Sequence, residues 1–340
     1  MRIAIANDNE INLSILVHII EEQTEHTVAW TAYDGSEAIN QCKRDIPDII
    51  LMDIVMPGIN GVEASKTIMQ NTPCAILIVT ASVTGNAAMV FEAMSFGALD
   101  VVQTPFSSLS SNKNEVTDFL RKLNVVKSIV ASSAEKTNSS LPNNIASTQS
   151  KKNTLVVIGS STGGPGVLAT ILSQLPADFP LPIIIVQHVD SSFSESFSSW
   201  LNKQSLLDVR LASTGDRPKP GSVLIAGKSE HLVMCSNGKL AYDEEPKNLV
   251  YKPSVDVFFN SVAKQWKGST IAVLLTGMGK DGALGLANIR QIGGHTITQT
   301  KDTCAVYGMP KAADDIGASI ESLDPDKIIG SIMNIIDGKR

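Results

Sequence analysis

Three segments of this 340-residue chain place a residue able to do chemistry just after a short apolar run. Thr154-Leu-Val-Val-Ile-Gly159 leads into Ser160-Ser161-Thr162-Gly163-Gly164, Ile183-Ile-Ile-Val-Gln187 into His188, and the run ending at Leu275 into Thr276-Gly-Met-Gly-Lys-Asp281. Gly159 to Gly163 fits G-x-S-x-G, in which small residues permit a sharp strand-to-helix turn that lifts a serine hydroxyl clear of the backbone. The helix expected after it leaves free N–H groups suited to negative charge. A Gly/Ser-rich turn without chemistry fits the same five residues. A dinucleotide fingerprint does not fit, because the glycines lack G-x-G-x-x-G spacing. A P-loop does not fit either, since Gly164-Pro165-Gly166 stands where Gly-Lys-Ser/Thr is needed.

A serine nucleophile needs a base, and the base needs an orienting acid. Of the five histidines, His18 and His26 fall in the first third of the chain. His188 is the best placed of the rest, because it directly follows a buried-strand pattern. His231, at the start of a strand-like run, and His295, after a Gly-Gly turn, read as surface or structural residues. Asp281 sits at a comparable strand end and is the candidate acid. The order Ser161, His188, Asp281 differs from the serine, acid, histidine order of α/β-hydrolases, so the turn motif does not carry that fold with it.

A second constellation lies upstream. Asp8 follows the first apolar run and Asp53 ends the third, so in a flavodoxin-like strand order the two carboxylates converge. Paired carboxylates repel, and a shared proton or a divalent cation such as Mg²⁺ must compensate. Each alone reads equally as a structural residue, Asp8 capping the next helix and Asp53 fixing a loop.

These residues must be positioned by alternating strands and helices. Ile3–Ala6, Val28–Thr31, Ile49–Met52, Ala75–Thr80 and Leu99–Val102 read as strands, and Asn12–Glu22, Ser36–Lys43, Gly61–Gln70 and Asn86–Phe96 as helices. That alternation predicts a five-unit parallel βα sheet with its site at the strands' carboxyl ends. Helical spacing from Glu115 to Val130 closes this first domain, over 1–120. The end of that helix and a Ser-, Asn-, Lys- and Thr-rich linker cover 121–152, and a second doubly wound parallel-sheet domain covers 153–338.

Net charge divides unevenly, with −7 on residues 1–131 and +1 on the remainder of a total of −6. Neither part is a basic nucleic-acid surface. No apolar run approaches the roughly 20 residues needed to span a bilayer, and no signal segment opens the chain, so direct membrane insertion is not expected and the location is expected to be cytoplasmic. The four cysteines, Cys42, Cys74, Cys235 and Cys304, have no C-x-x-C spacing and read as buried free thiols.

Leu51-Met-Asp53-Ile-Val-Met-Pro57 with Asn60-Gly61, a strand ending at Thr80, and Gly97-Ala98 before the fifth strand resemble the receiver domain of two-component response regulators. The resemblance implies a flavodoxin-like (βα)5 fold with Asp53 as phosphoryl acceptor. It further implies Mg²⁺ held by Asp8, Asp53 and the Val55 carbonyl, with Thr80 and Thr104 at the phosphoryl switch. Two positions depart from the family pattern: Asn7 replaces an acid, and Thr104 replaces a lysine before Pro105.

Ile158-Gly-Ser-Ser-Thr-Gly-Gly-Pro165, Gln187-His188, Tyr251-Lys-Pro-Ser-Val-Asp256, Leu275-Thr-Gly-Met-Gly-Lys-Asp-Gly282 and Tyr307-Gly-Met-Pro310 together resemble the catalytic domain of CheB-type chemotaxis protein-glutamate methylesterases. Within that family the WspF-like members of surface-sensing systems are most similar. The resemblance implies a carboxylic ester hydrolase with Ser161 as nucleophile, His188 as base and then acid, and Asp281 as its orienter. The Met278 N–H and the turn at Thr162 would be oxyanion donors, and the ester chemistry would need no cofactor. The implied substrates are glutamate γ-methyl esters, and certain glutamines, on the cytoplasmic domain of methyl-accepting chemoreceptors. The implied phosphodonor is a CheA-type histidine kinase, and phosphorylation would relieve packing of the receiver over the catalytic cleft. Two other function classes stay open from the residues: a phospho-switched adaptor with vestigial esterase activity, and a hydrolase of small soluble esters.

Overall fold

The computed structural model describes residues 1–81, 85–105, 113–132, 153–249 and 251–338. Most of the expected linker lies outside these residues. Close contacts divide the chain into two units, Met1–Asn138 and Ser139–Arg340.

In the first unit, β1 (Arg2–Ala6), α1 (Glu10–Gln23), β2 (Thr27–Ala32), α2 (Gly35–Arg44), β3 (Ile49–Asp53), α3 (Gly61–Asn71), β4 (Ala75–Thr80), α4 (Ala87–Ser95), β5 (Asp100–Gln103) and α5 (Lys113–Ser132) alternate. The five strands form one parallel sheet in the order β2-β1-β3-β4-β5. Side chains of β1, β3 and β4 are buried from Ile3 through Val79 on both faces, which is why those runs read as continuously apolar rather than alternating. With β1 and β3 paired, Asn7 and Asp53 emerge side by side at the carboxyl edge.

The second unit contains β6 (Leu155–Ser160), α6 (Gly164–Ser173), β7 (Ile183–Gln187), α7 (Ser194–Gln204), β8 (Asp208–Leu211), β9 (Ser222–Ile225), β10 (His231–Met234), β11 (Leu240–Asp243), α8 (Val255–Gln265), β12 (Thr270–Leu274), α9 (Ala283–Gln291), β13 (His295–Gln299), α10 (Met309–Asp315), β14 (Glu321–Leu323) and α11 (Pro325–Asp337). Seven strands form a parallel sheet in the order β14-β13-β12-β6-β7-β9-β8, and β10 and β11 form an antiparallel hairpin. Val157, Ile184, Leu224 and Leu274 from the sheet pack with Phe258, Phe259 and Val262 of α8 and Leu286 and Ile289 of α9. That core anchors both helices whose first turns meet at the site.

One expectation changes and another is settled. The cysteines are free, but only Cys42 is buried; Cys74, Cys235 and Cys304 are half-buried, because they sit at element ends rather than in sheet interiors. For His231 and His295, read as surface or structural residues, the structure decides for the structural alternative. Both are buried, since β10 lies against α8 and β13 lies inside the seven-stranded sheet.

Candidate active site

The sheet order sets β6 between β12 and β7, so three carboxyl ends lie in a row. Ser160 pairs with Gln187, which makes Ser161 and His188 the next residues on adjacent strands, and the His188 N–H donates to the Ser160 carbonyl at 3.0 Å. On the other side, the Ser161 N–H donates to the Thr276 carbonyl at 3.0 Å. Gly277 approaches so closely that a Cβ there would stand 2.7 Å from Ser161 Cβ, so only glycine brings the Gly277–Met278 peptide against the serine. Among the described residues neither the Met278 nor the Thr162 N–H has an acceptor. Both are therefore available to an oxyanion.

His188 Nε2 lies 2.8 Å from Asp281 Oδ2, while His188 Nδ1 is buried with no hydrogen-bond partner. The imidazole is stacked on Tyr251, with ring centroids 4.2 Å apart and planes within 5°. An acid on one nitrogen and a ring on one face leave the imidazole little rotational freedom, with Nδ1 as its open end.

Asp281 is held on every side. Oδ1 accepts from Ser254 Oγ at 2.8 Å and from the Asp256 N–H at 3.0 Å, and Oδ2 accepts from the Val255 N–H at 2.7 Å. These donors are the N-cap and first turn of α8, whose N–H groups have no partners within the helix and carry the positive end of its dipole. Burial pushes the Asp281 carboxyl up, but the hydrogen bond and charge of His188, the Asp256 N–H and the Ser254 hydroxyl outweigh it. The group is held below the ordinary carboxylate range. It is thus an anion throughout the neutral range, suited to orienting an imidazole and supporting its positive charge.

Behind these groups lie residues to which the sequence assigned no role. The Ser254 N–H donates to His231 Nδ1 at 3.1 Å, and His231 Nε2 lies 3.2 Å from the Pro246 carbonyl, so His231 braces the N-cap that braces Asp281. Gln187, 2% exposed, donates from Nε2 to the carbonyls of Ser161 (2.9 Å) and His188 (3.0 Å) and accepts from Ser160 Oγ (2.6 Å). It ties together the two strand ends that carry serine and histidine. The signals available in sequence were a polar residue closing an otherwise apolar strand and its place beside His188 in the Gln187-His188 motif.

In the first unit, Asp53 is buried and Asp8 is exposed at the same edge. Asn9, not Asp8, caps α1, accepting from the Ile11 and Asn12 N–H groups, which leaves the Asp8 carboxylate without that structural duty. Asp53 does fix its loop, taking the Val55 N–H on Oδ1 at 3.2 Å, and Asn7 Nδ2 donates to Oδ2 at 2.9 Å. Burial, joined by the charge of Asp8, pushes the Asp53 carboxyl up to about 6 against the opposing Val55 and Ile54 N–H groups. An under-compensated buried carboxylate, a second carboxylate and the carbonyl of the exposed residue Val55 make an all-oxygen set, which fits Mg²⁺. Thr80 and Thr104 are fully buried at neighbouring strand ends, joined by the Thr104 N–H on the Thr80 carbonyl at 2.9 Å. Thr80 Oγ1 accepts from Asn86 Nδ2 at 3.3 Å, whereas Thr104 Oγ1 has no partner.

Comparison with known proteins assigns a family to each part of the chain. Residues 156–332 match the family model described as CheB methylesterase, and residues 3–110 match the response regulator receiver domain. A Bordetella avium protein-glutamate methylesterase/protein-glutamine glutaminase is 47% identical over 95% of this chain and 94% of its own length. A Pseudomonas aeruginosa protein of the same description is 43% identical over 99% of this chain and 100% of its own. The crystal structure of the Thermotoga maritima CheB methylesterase catalytic domain, 41% identical, superposes with a TM-score of 0.51 over 53% of this chain and 97% of that one.

Proposed function

Given that this chain belongs to the CheB methylesterase family and carries a response regulator receiver domain, we propose that it hydrolyses glutamate γ-methyl esters on chemoreceptors through Ser161, His188 and Asp281, under control of phosphorylation at Asp53. The observation that carries the residue assignment is the His188 ring: Asp281 on Nε2, and a buried, unpartnered Nδ1 beside the strand end that bears Ser161.

Ser161 Oγ attacks the ester carbonyl as its proton passes to His188 Nδ1. The tetrahedral oxyanion takes hydrogen bonds from the Met278 N–H, with the Thr162 N–H as second donor. His188 then returns the proton to the departing methoxide, methanol leaves, and an acyl-Ser161 ester remains. Water, deprotonated by His188, hydrolyses that ester and frees Ser161 and a glutamate carboxylate. A glutamine side chain follows the same steps with ammonia as leaving group. Asp281 stays ionised throughout and supports the imidazolium. None of these steps calls on a cofactor.

In the receiver, Asp53 accepts the phosphoryl group from a CheA-type histidine kinase. Asp8, Asp53 and the Val55 carbonyl would hold Mg²⁺, which when bound would neutralise charge on the transferring phosphoryl group. The Thr80 and Thr104 hydroxyls take phosphoryl oxygens; the unpartnered, buried Thr104 Oγ1 supports that role. No helix among the described residues is long and apolar enough to cross a membrane. A substrate on a receptor's cytoplasmic domain supports a cytoplasmic location for the enzyme.

The test is methanol release from a methylated chemoreceptor cytoplasmic fragment, with and without a small phosphodonor and Mg²⁺. Ser161→Ala and His188→Gln are expected to lower turnover by about 10³–10⁶-fold, and Asp53→Asn to abolish the phosphodonor response alone. Wild-type methanol release by Ser161→Ala would overturn the assignment.

A further inference from the structure

The segment Tyr251-Lys-Pro-Ser-Val-Asp256 supplies a ring to His188 and a hydroxyl to Asp281, yet its last side chain has no part in the reaction as derived. Asp256 stands in the first turn of α8 and points its carboxylate across to α9, where Oδ1 accepts the Gly285 N–H at 2.7 Å and the Gly282 and Leu284 N–H groups are also directed at it.

Helix α9 needs this. Its N-cap, Gly282, has φ +91° and no side chain to cap with, and a Cβ there would stand 2.6 Å from Leu274 Cδ1. The Ala283 N–H turns back to the Lys280 carbonyl at 3.2 Å, and the Gly285 N–H of the first turn is satisfied from the neighbouring helix. The exchange is reciprocal. Asp281, directly before Gly282, takes N–H groups from the first turn of α8, and Asp256, in that turn, takes an N–H group from the first turn of α9. Each helix start is closed by a carboxylate belonging to the other.

We propose that Asp256 is a positioning residue for the Asp281–His188 pair, locking the loop that presents Asp281 against the helix start that receives it. The proposal rests on the triad reading above. Asp256 touches neither substrate nor His188; it acts through the placement of Asp281. Its own carboxyl is pushed up to about 6 by burial first and then by the neighbouring Asp281 charge, with the Gly285 and adjacent N–H groups opposing, and it is ionised where the enzyme would work.

The experiment compares Asp256→Ala, Asp256→Asn and Asp256→Glu in the full-length protein. Three quantities are read: kcat and KM for methanol release from the receptor fragment, the rate of Ser161 labelling by a fluorophosphonate, and the low-field proton resonance of the His188–Asp281 hydrogen bond. Asp256→Ala is expected to lower kcat and labelling rate about 10–100-fold at unchanged KM and to broaden or lose the low-field resonance. Asp256→Asn, which keeps an acceptor for the Gly285 N–H, is expected to restore all three to within several-fold. Should Asp256→Ala not fold, Asp256→Glu, which keeps the charge but displaces the acceptor by a methylene, is expected to show the same kcat loss. Wild-type kcat and an intact resonance in Asp256→Ala, or in Asp256→Glu where it stands in, with Ser161→Ala inactive, would overturn the positioning role alone. An active Ser161→Ala would overturn the triad reading beneath it.

Discussion

Asp281 meets His188 at Nε2, 2.8 Å away, so the nitrogen that remains for Ser161 is Nδ1. The acid therefore specifies the tautomer: its hydrogen bond keeps the proton on Nε2 and leaves Nδ1 a lone pair. Asp281→Asn keeps the shape but not this preference, and it is expected to reduce kcat for methanol release on the order of 10⁴-fold. The same change weakens the cap of α8, so a stability loss of about 1 kcal/mol should accompany it in urea unfolding.

Tyr251 covers one face of the same imidazole. A stacked aromatic contact contributes roughly 0.5–1.5 kcal/mol, and the ring's negative face favours the imidazolium that forms during the reaction. Tyr251→Ala is expected to cost about 2–10-fold in kcat. Tyr251→Phe, which keeps the ring, should stay within about twofold of wild type, measured in parallel.

In the receiver, Asn7 gives Asp53 a neutral hydrogen bond where an acid would add a third carboxylate for a cation beside Asp8 and Asp53. Charge-assisted contacts exceed neutral ones by about 1 kcal/mol or more. Asn7→Asp is thus expected to tighten Mg²⁺ binding on the order of tenfold in calorimetric titration, and to make binding fall more steeply as the pH drops toward 5.

Asp256 has a folded-state pKa of about 6, above its ordinary 3.8. Between those values the folded protein holds the proton more tightly than the unfolded chain, so the contribution to stability is greatest below pH 4 and declines as pH rises to about 6, then stays flat. Asp256→Asn removes this decline. Its stability relative to wild type should rise between pH 4 and 6.5, by at most about 3 kcal/mol, followed by urea unfolding at each pH. A difference that does not change with pH would mean the carboxyl titrates normally.

Much of this was legible before any coordinates. Buried parallel strands leave unbroken apolar runs, and the glycine, serine and aspartate at their ends are local signals, so Ser161, His188, Asp281, Asp8 and Asp53 stood out as candidates from position, and the family resemblance supplied the roles proposed for them. The helix at Glu115 to Val130 was read from spacing and is present as Lys113–Ser132. The histidines 231 and 295 were left between surface and structural roles, because a polar residue at a strand start looks the same in sequence whether the strand faces solvent or a helix.

The sequence by itself determined the elements, the family and the residues able to do chemistry, because these depend on neighbours a few positions away. Only the tertiary structure decided how those residues are held. It selected the histidine nitrogen, laid Tyr251 on the ring, made Asn9 rather than Asp8 the cap of α1, and crossed Asp256 and Asp281 between two helix starts. The partners in the catalytic cluster stand far apart along the chain, His188 and Asp281 by 93 residues and Asp256 and Asp281 by 25. What joins them is the β12-β6-β7 order and the packing of α8 on α9, and a hydrogen bond across such a junction leaves no periodicity in the chain to read.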